Sequence, residues 1–536
     1  MDENFLALCM GVPFSASSCL HRLALLLLPT IIWGLYKLSF KLRRGTRASS
    51  NDVLSLPPGP RGMWRLLQVP WAGEGLQFLA AMRAGHPEHF LFDRGARYSS
   101  NTFRTLIFGH RIVMVQGAAA NRFVANAEKK GLLRNSWPST VLRVVGNHAP
   151  VVKHGAEHRR FRQILSTCLS PLPLQKLVER ASRITYTQID THWLPHARCS
   201  INTSTEFHDS CASDVITMMP LLRLHTFRLA CNLLADISDE KILSRLHKSF
   251  KIWLAGMLDL PLNLPGSPYS KSLRARDELL REMGKLIDVK LASRECRQLQ
   301  FVDSERDVDV LSLLLRAQAD DGSFLSYNEM KDTLLFLLFA GHDTNTASLA
   351  FTLKYLEQYP ACYDQVVQEQ EAIAASKNEG EELSWDDVQS MKYTWKVVQE
   401  ALRLWPPVLG GMKEAMDDIV FDGYLIPKGW KVFFSFSTTH LHEDCFANPN
   451  EFDPSRFDQE RWKDGASGPP QYAYIPFGVG PHSCPGNHFA RMTICIFIHH
   501  LVRKLKWKSV YPNESVQIFT MPCLARDYPV RLYHKS

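Results

Sequence analysis

Pro476-Phe477-Gly478-Val479-Gly480-Pro481-His482-Ser483-Cys484-Pro485-Gly486-Asn487-His488-Phe489-Ala490 is the stretch whose reading decides the fold. Glycines and prolines crowd both sides of Cys484, which makes a tight, rigid loop that presents a single sulfur. A helix is expected to follow, from about Asn487 to Leu505, and its positive end favours a thiolate over a thiol. No second cysteine or histidine stands at zinc-ligand spacing, and the twelve cysteines include no Cys-x-x-Cys pair. One thiolate on such a loop suits an axial haem ligand better than zinc. The remaining cysteines read as reduced, buried, small hydrophobes.

Three further motifs lie upstream. Ala340-Gly341-His342-Asp343-Thr344 interrupts a long apolar helix, Leu334 to Leu353, with an acid–alcohol pair. Burying such a pair is costly without partners or a role. Glu400-Ala401-Leu402-Arg403 places Glu and Arg at i,i+3 on one helix, and Phe452-Asp453-Pro454-Ser455-Arg456-Phe457 supplies a second arginine downstream. Gly155-Ala156-Glu157-His158-Arg159-Arg160-Phe161-Arg162 opens another helix, on which His158 and Arg162 share a face. His154 and His158 could be read as metal ligands, but no third ligand is near. Arg159 and Arg160, with Lys153, read either as a basic patch or as a solvated helix face.

In this order and spacing the four motifs resemble the cytochrome P-450 family of haem-thiolate monooxygenases, over essentially the whole chain. The resemblance implies a mainly α fold with a minor β part: an N-terminal transmembrane helix and one large haem domain. It implies haem b with Cys484 as axial iron ligand. His158, Arg162, Lys413, His482, Phe477 and Gly341 would surround the cofactor. Thr344, with Asp343 behind it, would relay protons, and Glu400, Arg403 and Arg456 would form a structural triad locking the thiolate loop. Partners would be dioxygen, a lipophilic substrate and an NADPH-dependent flavoprotein reductase docked on the basic proximal surface. Three positions depart from the pattern. His482 and Lys413 stand where the family commonly has arginine, and Asn345 where it often has Thr or Ser. Histidine can be neutral at pH 7 and lysine lacks the bidentate fork, so weaker haem retention or a changed potential is expected.

The chain's 536 residues would ordinarily divide into several domains. Motifs that must meet at one haem run from His158 to Cys484, so most of the chain belongs to a single domain. Composition is ordinary globular, 45% apolar and 22% charged, which excludes disordered, collagen-like and disulfide-scaffold classes. The net charge of +8 is mild: it excludes a nucleic-acid-binding tail and fits an anionic membrane or an acidic partner.

Residues 1–19 are expected to be lumenal, 20–40 a membrane anchor, 41–62 a basic and proline-rich hinge, and 63–536 the catalytic domain. Leu20 to Phe40 would span about 31 Å, against a hydrocarbon core of about 30 Å. Lys41, Arg43, Arg44 and Arg47 place the body on the cytoplasmic side, which implies the endoplasmic reticulum membrane. A cleaved signal peptide would want a basic start, and Asp2-Glu3 is acidic. In the body, Thr102–Phe108 and Arg111–Gln116 read as a hairpin and 155–405 as mainly helical, with surface loops near Arg294–Asp309 and Lys377–Glu382. Strand-like runs follow at Ile419–Phe421 and Trp430–Ser435, and the tail from Val516 reads as another hairpin.

Trp137-Pro138-Ser139, Gly423–Val432, Phe452–Phe457 and the haem loop are similar to the plant branch that hydroxylates sterols, triterpenoids and diterpenoids. The pocket expected by analogy takes in Leu142–Val152, Phe336, Phe339, Ala340, Val408–Met412 and Thr520–Pro522, and is mostly apolar. Two other readings remain: a haem-thiolate isomerase or dehydratase working without dioxygen, and a non-catalytic haem- or sterol-binding protein.

Overall fold

The structure, a computed structural model, describes residues 54–60, 73–107, 109–197, 200–201, 214–257, 263–300, 309–458, 469–518 and 520–535. The expected anchor and its basic flank lie outside these residues, as does most of the expected hinge. Among the described residues, no helix is long and apolar enough to cross a membrane.

The organising element is the helix Tyr327–Gln358, 32 residues and roughly 48 Å long at ~1.5 Å per residue. Its start is fixed by a capping box: the Ser326 side chain accepts from Glu329 N–H while Glu329 answers the Ser326 N–H. Buried residues then fall all around it, from Leu334 to Leu356, the signature of a helix enclosed on every side. Met218–Ala235, Pro268–Gln300, Lys392–Leu404 and Asn487–Lys504 pack against it. Asn487–Lys504 is itself enclosed, with Ile494 through Ile498 almost fully buried. Two large apolar clusters form around these helices.

The minor β part comprises four sheets among the described residues, the largest of five strands. The strands of that sheet are β1 (Thr102–Ile107), β2 (His110–Val115), β3 (Leu133–Asn135), β4 (Gly410–Ala415) and β5 (Lys431–Ser435), in the spatial order β1-β2-β5-β4-β3. β2 and β5 run parallel and the other pairs antiparallel. The expected hairpin at 102–116, the strands near 419 and 431 and the tail hairpin (Val516–Ile518 with Pro522–Leu524) are all present. The proline-rich stretch docks on this body: Arg104 N–H donates to Pro58 O at 2.8 Å and Leu425 N–H to Ser55 O at 3.0 Å.

One expectation is corrected. The charge-rich stretch Arg294–Asp309 is not simply a surface loop, because the helix from Pro268 continues to Gln300. Asp309 is fully buried, caps the next helix through Ser312 N–H at 3.0 Å and bonds Lys290 at 2.7 Å.

Candidate active site

The Cys484 loop is built from backbone bonds that its glycines permit. Gly478 and Gly480 sit at φ +72° and +75°, the left-handed region that other residues enter at a cost. Gly478 N–H then closes on Ile475 O at 2.9 Å, Ser483 N–H on Gly480 O at 3.1 Å and Cys484 N–H on Phe477 O at 2.7 Å. Phe477 thus holds the cysteine through its carbonyl. Among Cys168, Cys231, Cys362, Cys445, Cys484, Cys495 and Cys523, Cys484 is the exposed one. Although its surface is exposed, the protein packed behind it desolvates the sulfur. That burial pushes the thiol up, against the opposing Gly486 N–H and Arg162. A haem iron bound here would hold the sulfur as a thiolate.

The triad residues meet. Glu400 and Arg403 have no exposed side-chain surface. Arg403 Nε and Nη2 each donate to Glu400 at 2.8 Å, Arg456 Nε at 3.1 Å and Asp453 N–H at 2.9 Å. Arg403 also donates to the carbonyls of His440, Pro449 and Glu451 at 2.7–2.9 Å. His440 carries this to the loop: its Nδ1 lies 3.2 Å from Arg403 O, and Ile475 N–H donates to its Nε2 at 3.0 Å. Burial, then Arg403, pushes the imidazole down to about 3, so it is neutral and fits the Nδ1–H form. Sequence reasoning missed His440, whose place is set by contacts 35 residues apart.

Arg162, Lys413, His158 and His482 gather beside the loop. Arg162 donates to Ser483 O and Oγ, directly before the cysteine. His158 stacks on His482 with ring centroids 3.7 Å apart and planes 20° apart. Lys413, on β4, is buried and ion-pairs with Glu128 of the helix Ala118–Lys129. His482 Nδ1 lies 2.7 Å from the same Glu128 Oε1, close but off the N–H line of a good hydrogen bond. Glu128 was not anticipated. Its one sequence signal is an acid in the last turn of a helix, where the dipole disfavours it. Burial, then His482, pushes His158 down to about 4, and among the described residues no metal-ligand set forms around it. The basic patch is smaller than the spacing implied: Lys153 pairs with Glu157 at 3.7 Å and Arg160 with Glu329, which leaves Arg159 exposed.

On the central helix, Thr344 Oγ1 donates to Ala340 O at 2.5 Å. Asp343 is raised to about 6 by burial, with Arg223 opposing. His342 beside it is held neutral, pushed down to about 3 chiefly by burial. Asn345 turns away from this pair: its amide donates to Gly341 O at 2.9 Å and to Thr493 Oγ1 at 3.1 Å, tying the central helix to Asn487–Lys504. Gly341 faces Phe489 of that helix, where a Cβ would sit 3.4 Å from the ring. A cavity of about 290 Å³ adjoins Asp343 and is lined by Arg223, His247, Lys251, Phe250, Thr520 and Met521. The expected apolar pocket is thus correct for Thr520–Pro522 as cavity lining, but this cavity also carries cationic groups.

One exposed sulfur, a glycine loop that admits close approach and a set of cationic and imidazole donors beside it fit an anionic, planar cofactor with a thiolate axial ligand. The fold and site together define a haem-thiolate enzyme. The comparisons agree. The family model described as Cytochrome P450 matches residues 57–527. A β-amyrin 28-monooxygenase from Medicago truncatula is 37% identical over 91% of this chain and 94% of its own. One from Vitis vinifera is 36% identical over 90% and 93%. A solved cyanobacterial structure, CYP120A1 with retinoic acid bound, aligns at TM-score 0.74 and 31% identity over 90% of this chain and all of its own. The chain belongs to the cytochrome P450 family. It is an oxidoreductase of the monooxygenase class, with haem b as cofactor and NADPH as its source of electrons.

Proposed function

We propose that this enzyme hydroxylates a triterpenoid, with Cys484 as the haem ligand and electrons passed from NADPH by a flavoprotein reductase. The observation that carries this reading is the Cys484 loop, set in a chain 37% identical along nearly its whole length to a β-amyrin 28-monooxygenase. When bound, the haem activates dioxygen for insertion into a C–H bond.

The chain's own residues do the rest. Glu400, Arg403 and Arg456, through His440, hold the loop so that the sulfur stays in place. Arg162, Lys413, His158 and His482 would take the cofactor's propionates. Asp343, poised near neutrality, can hold a proton and give it up. Thr344 stands next to it, with its hydroxyl parked on Ala340 O. Rotating off that carbonyl frees the hydroxyl to pass the proton onward.

Residues 20–40 would anchor the enzyme in the endoplasmic reticulum membrane, where a lipophilic substrate is concentrated. Expression with a plant reductase and a panel of triterpenes, sterols and diterpenes tests this. NADPH-dependent addition of one oxygen to a triterpene is expected. Isomerised or dehydrated product without NADPH would overturn the reading, as would turnover of another class alone.

A further inference from the structure

We propose that Glu128 is a positioning residue for the cofactor's propionate end: its carboxylate seats both Lys413 and His482 beside the thiolate loop. This rests on the haem reading above and goes beyond it, since Glu128 belongs to none of the four motifs.

Three observations carry it. First, Glu128 is a buried acid in the last turn of the helix Ala118–Lys129, where burial and the helix dipole both oppose its charge. Only strong partners hold an anion there. The Lys413 ammonium is one, ion-paired to Oε1, and His482 Nδ1 lies 2.7 Å from the same oxygen. These partners outweigh burial and draw the carboxyl below its usual range. Second, the side-chain surfaces of Glu128 and Lys413 are 4% and 3% exposed, so the pair is not a loose surface contact. Third, the carboxylate touches the thiolate loop itself. A Cβ on Gly480 would sit 3.3 Å from Oε2, and that second oxygen is buried with no hydrogen-bond partner.

The physical logic lies in the side chains that Glu128 meets. An arginine is pre-organised by its planar fork, whereas lysine is a point charge on a flexible stem and histidine a ring free to rotate. A shared carboxylate fixes both without an arginine. It clamps the Lys413 stem beside the Phe434 ring, 5.9 Å from Nζ, and holds the His482 ring flat on His158. It also adds a negative charge at this end of the site, and a nearby anion stabilises the ferric over the ferrous state.

The test uses the full-length holoenzyme and its Glu128→Gln variant, which keeps the side chain's shape. Haem transfer to excess apomyoglobin, the ferric/ferrous midpoint potential and the ferrous–carbonyl spectrum are measured for each. Glu128→Gln is expected to keep the thiolate-type spectrum, lose haem about 10-fold faster and show a higher midpoint potential. Adding Lys413→Arg and His482→Arg to that variant is expected to restore haem retention. An unchanged loss rate and potential in Glu128→Gln would overturn the proposal. So would faster loss at an unchanged potential, the mark of a purely structural ion pair. Wild-type protein without a thiolate-type spectrum would refute the haem reading itself, and this inference with it.

Discussion

Glu400→Ala removes the acceptor of four hydrogen bonds, two from Arg403, one from Arg456 and one from Asp453 N–H. Arg403 stays charged and has no exposed surface. Its bonds to the carbonyls of His440, Pro449 and Glu451 survive but do not neutralise it. Breaking a buried pair by deleting one partner costs about 3–5 kcal/mol. Orphaning the Asp453 N–H costs about 1–3 kcal/mol more. Either figure is large beside the ~5–15 kcal/mol that stabilises a whole protein. The damage falls on His440, Pro449 and Glu451, and through His440 on Ile475 at the start of the Cys484 loop. Purified Glu400→Ala protein is therefore expected to carry less than a tenth of the wild-type haem, read by pyridine haemochrome and the ferrous–carbonyl spectrum. Glu400→Gln keeps the volume and should fall between the two. A Glu400→Ala protein that is stable and haem-replete would refute the reasoning.

Gly480→Ala puts a side chain at φ +75° and a Cβ 3.2 Å from Ala125 Cα, so it should destabilise the loop by about 1–3 kcal/mol and lower the melting temperature of the holoenzyme. Wild-type melting at every pH would count against that geometry. Asp343 gives a pH dependence. Its folded pKa, about 6, lies above its usual value of 3.8, so the folded state keeps a proton that the unfolded state releases. That contribution is present below about pH 4 and is lost as pH rises through 6, a change of about 3 kcal/mol at ~1.4 kcal/mol per unit. Asp343→Asn should flatten this part of the stability curve in apoprotein denaturation and slow NADPH-dependent turnover. An unchanged slope between pH 4 and 7 would show that the carboxyl is not buried as described.

Much of the fold was legible in the chain because its signals are local. The glycines at 478 and 480 require the loop they form, and the apolar run 334–353 could only be an enclosed helix. Its start was not legible: the helix begins at Tyr327, seven residues before the apolar run, behind a capping box at Ser326. Glu400 and Arg403 were legible as a pair from their spacing, and Arg456 through the family pattern. Glu128 and His440 were not, since each acts through partners brought together only by folding: Glu128 meets residues 285 and 354 positions away. The basic patch at 153–160 was overestimated for the same reason. Its answering acid Glu329 lies 169 residues downstream of Arg160. Asn345, a departure in sequence, turns out to be occupied: it bridges Gly341 and Thr493 rather than facing the acid–alcohol pair.

The most direct measurement is the ferrous–carbonyl difference spectrum of the full-length protein and its Cys484→Ser variant, each with haem content determined independently. The account predicts a thiolate-type Soret shift in the wild type and its complete loss in Cys484→Ser. A thiolate-type shift that survives in Cys484→Ser, or a haem-loaded wild type without one, would contradict it.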